Sequence, residues 1–526
     1  MTDDKLKSSA SLQEDASRDV EKDTKTIVSD AIEVPITLSP QDEKRLYRKI
    51  DLRLIPVLTL LQLLSFMDRG NAKLQGLTAQ LDLGGNRYSA ALSLFFLPYC
   101  LLECPASLVT KKFRPSRWLP GLAIMWGIVM TLMGLVQTYQ QLVGTRVVLG
   151  AIEAGLFPGV AWYISMWYPR HMLQYRIGIF WGGATIAGAF SGLLAFGISF
   201  MAGVGGKEGW SWIFIIEGLA TVVAGVIAAF VLVDFPETAA FLTPEEKAYV
   251  ISKKKYDNSS VGEEEHFAFR HVWAALADWQ TWMHVVMNVS VIGPVYGISF
   301  FLPSIINGFG ISSTAISQLL TVPPYVFGTV LTVLFATSSD HLRLRAPFVL
   351  AGQLLGAAGL AVLLADVPPG ARYLGTFLCV GGPYAAFPGV IAWCAPPRFH
   401  PRLTSPPLSV QHRRSHGKDR LSNNMAGHYK RGTGLAVLIG FGNFSGSIAP
   451  LMFRAQDAPR YVLGYAIEMM FVCLGILALC VGLLVYPRIN AGRARRLRRS
   501  GDVMLVYTAE ELRAMGDRAP DFRYSL

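Results

Sequence analysis

Charge is scarce in this sequence. Asp, Glu, Lys and Arg make up 16% of its 526 residues, against about 25% in soluble globular domains. That shortfall argues against a soluble enzyme or a nucleic-acid-binding domain. Cysteine is also sparse. The six residues Cys100, Cys104, Cys379, Cys394, Cys473 and Cys480 form no CxxC pair and no metal-ligand spacing, which excludes a disulfide framework and a zinc ribbon. Most lie in apolar runs, where cysteine behaves as a small hydrophobe. Cys100 and Cys104 share a helix face, a spacing read as core packing. The opening "MTDDKLKSSASLQ" is polar and acidic and has no apolar h-region, so no cleavable signal peptide is expected and the first span must direct insertion.

What is present is apolar length. Hydrophobic residues make up 52% of the chain, and they gather into twelve runs, roughly 54–75, 89–110, 118–137, 141–166, 177–200, 211–233, 281–305, 315–338, 346–365, 371–393, 432–453 and 461–486. About 20 apolar residues cross a bilayer as a helix, so the expected fold is an all-α polytopic membrane protein with twelve spans. The formal charge of +11 then has a topological reading. With the N-terminus cytoplasmic, 26 Lys and Arg flank the spans on one side and 7 on the other. The positive-inside rule places both termini in the cytoplasm. Nucleic acid is not an expected partner; the lipid bilayer is.

Residues 1–45 are a polar N-terminal tail expected to be disordered. The interval 234–280 divides six spans (46–233) from six (281–486), and 487–526 is a C-terminal tail. Within the divider, "LTPEEKAYV" offers Thr243 as N-cap, Pro244 at the first helical position and acids in the first turn, a surface helix.

The two sets of six repeat one another. "FPGVAW" at 157–162 returns as "FPGVIAW" at 387–393, and the basic loops "KKFRPSR" and "HLRLR" also lie about 230 residues apart. Internal repeats of this kind build one cavity at the repeat interface. The register then slips. Arg176 and Arg431 are 255 apart and the two "FSG" words 254 apart. The added chain is "CAPPRFHPRLTSPPLSVQHRRSHGKDR", residues 394–420, with five prolines, six Arg or Lys and no apolar period; it is expected to be a disordered insertion. Its "HRRSH" is too weak a pattern for a metal site.

Charges inside the spans are the candidate site residues. Asp68 and Arg69 close the first span in "LSFMDRGNAKL", and Arg146 and Glu153 lie seven residues apart in the fourth. Seven residues are nearly two turns, so the latter pair shares one helix face. A charge at membrane depth costs roughly 2.5–3.5 kcal/mol on insertion scales and so faces a partner or a watery cavity. One reading is a structural ion pair locking the first and fourth spans. The other is a site in which Arg holds an anion and a carboxylate carries a proton. The repeat favours the second, because the matching positions 376 and 383 are Thr and Pro. Glu103, Glu217 and Glu468 are read as structural pairs or gate contacts, and His284 as a satisfied interfacial histidine. Tyr296, Asn288 and Asn443 are candidate cavity residues of the second half. No Ser/His, His/Asp or metal constellation occurs at membrane depth, so an enzyme is not expected.

The words "RLIPVLTLLQLLSFMDRGNA", "RVVLGAIEAGLFPGVAWYISMWYPR", "WSWIFIIEGLATV", "LSNNMAGHYKRGTGLAVLIGFGN" and "DAPRYVLG" resemble the major facilitator superfamily, and within it the fungal allantoate permease family. The resemblance implies two six-helix bundles and proton-driven import of a small organic anion such as allantoate, nicotinate or pantothenate. It implies no cofactor beyond the proton gradient, a monomer, and a multi-pass protein of the plasma membrane. An exporter of the same fold and a non-transporting nutrient sensor are the alternatives. By resemblance Arg69 contacts the substrate carboxylate; Tyr296 and Asn443, read from the residues themselves, are the substrate-binding candidates of the second half. Asp68 and Glu153 carry the coupling proton, and Arg146 modulates Glu153. The gate set is Glu103, Lys111, Arg114 and Arg176 from the first half with Asp340 and Arg343 from the second. The loop "TKKFRPSRW" lacks the Gly and Asp usual in the superfamily. In the family the Trp of the tenth span runs directly into "LSNN", whereas 27 residues separate Trp393 from Leu421 here. The codons of Trp393-Cys394 contain a GT donor, and AGG at Arg420 would supply an acceptor. Residues 394–420 therefore read as a retained intron or as a genuine loop.

Overall fold

The computed structural model describes residues 38–67, 76–258, 273, 276–311, 313–342, 344–394 and 428–499. Residues 1–37 and 500–526, Asp68, Arg69, Arg343 and residues 395–427 lie outside the described residues, and with them all of the predicted insertion except Cys394; the end of the N-terminal tail drawn at 1–45 is helical from Pro40, where the first long helix begins.

The first half comprises α1 (Pro40–Met67), α2 (Arg87–Lys112), α3 (Pro115–Met133), α4 (Tyr139–Glu153), α5 (Leu156–Trp167), α6 (Arg170–Ile198) and α7 (Gly209–Val231). A linker helix, α8 (Pro244–Asn258), follows. The second half comprises α9 (Trp279–Gly308), α10 (Thr314–Leu319), α11 (Val322–Leu342), α12 (Ala346–Leu364), α13 (Pro369–Cys394), α14 (His428–Met452) and α15 (Val462–Arg499). The chain is all-α: no strand occurs among the described residues. Among the described residues ten segments are long and apolar enough to cross a membrane, with α4–α5 and α10–α11 each counting once. The long helices α2 and α14 stand at the second and eleventh places.

Local chemistry starts and stops these helices. Ser39 Oγ accepts the Asp42 amide at 3.2 Å and caps α1. Thr138 caps α4 through the Gln141 amide, and Asp278 caps α9 through that of Gln280. Thr243 and Glu246 form a reciprocal capping box at α8, at 3.2 and 2.9 Å. The fourth span breaks between Glu153 and Leu156. Pro158 explains the break, because its ring opposes the carbonyl of Ala154, four residues earlier. The sequence reading has the repeated Pro-Gly word closing its span. Instead the break precedes the word in the first half, and α13 runs unbroken through Pro383 and Pro388 in the second. The last helix also continues to Arg499, past the boundary drawn at 486.

Burial sorts the spans. In the most apolar stretch of α9 83% of residues are buried, and in that of α13 78%, against 28% in that of α15. The first two lie at the centre of the molecule and the last turns its leucines outward. Phe230 and Leu101, 83% and 68% exposed, likewise belong to an apolar outer surface suited to lipid.

The halves meet along two seams built from the same repeated word. On α6, Gly188 and Gly192 ("AFSG") back directly onto Tyr325 and Thr321 of the eighth span. On α14, Gly446 ("NFSG") backs onto Phe96 of α2, while Gly442 backs onto Asn288 of α9 within the second half. Small residues let helices approach this closely. Beside Gly446, Ser93 Oγ donates to the Ser447 carbonyl at 2.7 Å and Ser447 Oγ returns the bond at 3.2 Å.

The linker is docked on the first half. Lys49 meets Glu246 at 2.9 Å and Lys253 meets Glu43 at 3.0 Å. Asp234 accepts the Ser116 amide at 3.0 Å, in the first turn of α3, where the helix dipole favours a carboxylate.

Candidate functional site

Polar residues inside otherwise apolar helices converge between the two halves. Gln62 and Ser65 interrupt "LLQLLSFM" in α1 at a spacing that puts both on one face. Glu153 ends α4, where the Pro158 break leaves its side chain at the seam. From the second half come Asn288 and Tyr296 on α9 and Asn443 on α14. Together with Tyr99, Phe66, Phe157, Trp181 and Phe387 they line one central cavity. Its water-accessible volume is about 20 Å³, room for a water or so and too little for a carboxylate metabolite. This conformation therefore keeps the site closed.

The closure is aromatic. Trp181 of α6 packs on Phe387 of α13 with centroids 3.9 Å apart, and Phe157 approaches the same indole edge-on at 5.9 Å. The two phenylalanines of the repeated "FPG" word thus converge on one tryptophan, one from each half. Phe66 also meets Trp181 edge-on at 5.5 Å and stacks on Tyr296 at 6.4 Å, again pairing the halves.

Glu153 is 1% exposed and accepts the Ser65 hydroxyl at 2.7 Å through Oε1. Arg146, 6% exposed, sits on the same face of α4, with its guanidinium over the Phe214 ring at 5.6 Å. The helix rise between them, about 10 Å, sets the two groups at different depths. Tyr296 donates to Asn443 Oδ1 at 2.9 Å, and Asn443 Nδ2 donates to Glu103 Oε2 at 3.2 Å. This chain carries polar contact from the cavity wall of one half to a buried acid of the other.

The remaining sequence-derived residues are placed as follows. Asp68 and Arg69 follow Met67 directly but lie outside the described residues, as does Arg343, and the side chains of Lys111 and Asp340 are likewise not described. Arg114 is exposed at the start of α3. Arg176 grips Asp51 with two bonds of 2.7 and 2.8 Å and lies 4.1 Å over the Tyr168 ring. It therefore joins α6 to α1 within the first half. His284 meets the Tyr486 hydroxyl at 3.2 Å beside Trp393. Sequence reasoning missed Gln62, Ser65 and the aromatic closure; two polar residues three apart in an apolar run were the available signal for the first two. The partner Asp51 lies in a charged amphipathic stretch that hides it.

The profile described as Major Facilitator Superfamily matches residues 58–399. An uncharacterized transporter of Schizosaccharomyces pombe is 32% identical, over 93% of this chain and 92% of that protein. The high-affinity nicotinic acid transporter of Saccharomyces cerevisiae is 29% identical, over 92% of this chain and 85% of that protein. Among solved structures, a bacterial homologue of the human lysosomal transporter Spinster, inward-facing and occupied, superimposes with TM-score 0.57 at 15% identity, over 82% of this chain and 96% of that one. At that identity the likeness concerns the fold. Taken with the paired bundles and the cavity at their seam, these matches make the chain a membrane transporter, not an enzyme, and a member of the major facilitator superfamily.

Proposed function

We propose that this transporter imports a small organic anion of the carboxylate, vitamin or ureide type together with protons. In this reading it works as a monomer by alternating access, in the plasma membrane with both termini cytoplasmic, and needs no cofactor beyond the proton gradient. The observation that carries the reading is Glu153, a buried carboxyl on the wall of the central cavity with Ser65 as donor. A buried carboxyl at the seam between the halves meets water only when the cavity opens, which is where a coupling proton has to be exchanged. Arg69, next in the chain after Asp68 at the end of the cavity-lining helix α1, supplies the cation for the anion. The planar guanidinium binds a carboxylate in two places at once. The relative that carries nicotinic acid supports an anionic substrate, and the basic excess on one set of loops supports the orientation.

The cavity must open to load, and the Trp181–Phe387 and Phe66–Tyr296 contacts are the places to part. Purified protein in liposomes, given labelled nicotinate and a panel of other carboxylates, should concentrate at least one of them when the outside is acid. Equal, gradient-independent distribution of every carboxylate tested would contradict the reading.

A further inference from the structure

The second half holds a buried acid that the cavity does not use. Glu468 on α15 is 1% exposed, and neither carboxyl oxygen has a hydrogen-bond partner among the described residues. The pairing read from the sequence finds no partner there. Its carboxyl occupies a notch in α9, filling the space that a Cβ on Gly297 would need, with the Phe453 ring alongside. The titratable groups facing it are the Cys379 thiol on α13 and the Tyr465 phenol on its own helix. No cation is paired with it among the described residues.

An ionised carboxylate in that setting is expensive, about 2.5–3.5 kcal/mol even on insertion scales. A neutral acid without partners still carries a desolvation cost that a leucine would not. The notch also requires glycine on the neighbouring helix. A side chain that is costly here is explained by a conformation in which it is wet. The route to that conformation is α9 itself: Tyr296, next to Gly297, lines the central cavity, and Pro294 and Pro303 weaken the same helix.

We infer that Glu468 is a second proton-binding carboxyl, holding its proton in the notch of α9 and giving it up to water when α9 moves away from α15. The step is simple acid dissociation, with the proton passing to solvent and the carboxylate left hydrated. The proton-binding claim stands by itself; its contribution to coupling rests on the transport reading above.

The test uses the full chain in lipid nanodiscs, without substrate, followed by infrared difference spectroscopy during a pH titration. The wild type should show a protonated-carboxyl carbonyl band at neutral pH that is lost as the pH is raised. Glu468→Gln should lack that band, Glu468→Asp should shift it, and Glu153→Gln should keep it. The aspartate variant retains the acid, so the assignment does not depend on the glutamine variant folding. Wild-type and Glu468→Gln spectra that superimpose would overturn the inference. So would a Glu468 band that persists through the whole titration, since the acid would then be permanently neutral. In proteoliposomes Glu468→Gln should also lower the number of protons moved per carboxylate. If neither wild type nor variant couples protons while the band behaves as expected, the transport reading fails and the proton site stands.

Discussion

Arg69 and Asn443 carry the sharpest expectations for single residues. Lysine offers a point charge where arginine offers a planar fork, so Arg69→Lys should insert normally yet weaken carboxylate binding by more than about tenfold, or about 1.4 kcal/mol. Calorimetric titration of the purified variant with the transported anion checks this, and unchanged affinity would remove Arg69 from the site. Asn443→Leu takes the amide donor away from Glu103. A buried acceptor stripped of its partner costs about 1–3 kcal/mol, so the variant should melt at lower temperature. Glu103→Gln in the same background should recover part of the loss, a coupling that a double-mutant cycle reads directly. At this scale the sequence was informative wherever a charge or amide broke an apolar run, as at Glu153, Asn288 and Asn443. It was silent where the partner came from a distant helix. Arg176 is such a case, since nothing local marks Asp51, 125 residues away, as its partner.

Between residues and the whole lie the linker helix and the inserted tract. Docking of α8 on α1 rests on Lys49–Glu246 and Lys253–Glu43. For Glu246, partial burial raises the pKa, but the bonds from Lys49 and Thr243 outweigh it and leave the group below 4.5. Its contribution is present above 4.5 and is lost as the pH falls through the lowered value. For Lys253, burial pulls the pKa down while Tyr249 and Glu43 hold it above 10.5. Its contribution is complete below 10.5 and is lost as the pH rises through the raised value. Hydrogen exchange in α8, corrected for intrinsic rate, should therefore show a plateau of protection between about pH 5 and 10 that salt erodes. Protection unaffected by pH and salt would mean that packing of Phe241 on Trp167 does the docking alone. Residues 394–420 are expected to be dispensable. Their proline-rich, basic composition offers the bundles little apolar surface to pack against. Deleting Cys394–Arg420 should preserve or improve expression and transport, and loss of folding would refute this. A transcript lacking the 27 codons would identify a retained intron. Helix positions were legible because apolar length is a strong signal. The break at Gly155 was placed late by a few residues, because Pro158 acts on the carbonyl one turn before it.

For the whole molecule, the repeated words were the most informative part of the sequence. They announced two related bundles, and the structure gives the words a purpose: the glycine of each "FSG" lets one half approach the other, and each "FPG" phenylalanine reaches Trp181. The asymmetry was legible too, since Glu153 has no counterpart in the second half. The closed aromatic layers were not, because packing between halves depends on helix rotation that periodicity alone leaves open. A molecule whose halves meet through aromatic contacts around a carboxyl-bearing cavity is suited to alternating access. In the transport reading proposed above, Glu153 moves the coupling proton. The most direct test compares wild type and Glu153→Gln in proteoliposomes, measuring both concentrative uptake under an imposed pH gradient and exchange of labelled for unlabelled substrate at equal pH. The account predicts that the variant loses concentrative uptake and retains exchange, which requires no net proton movement. Accumulation by Glu153→Gln at the wild-type level under the same gradient would contradict it.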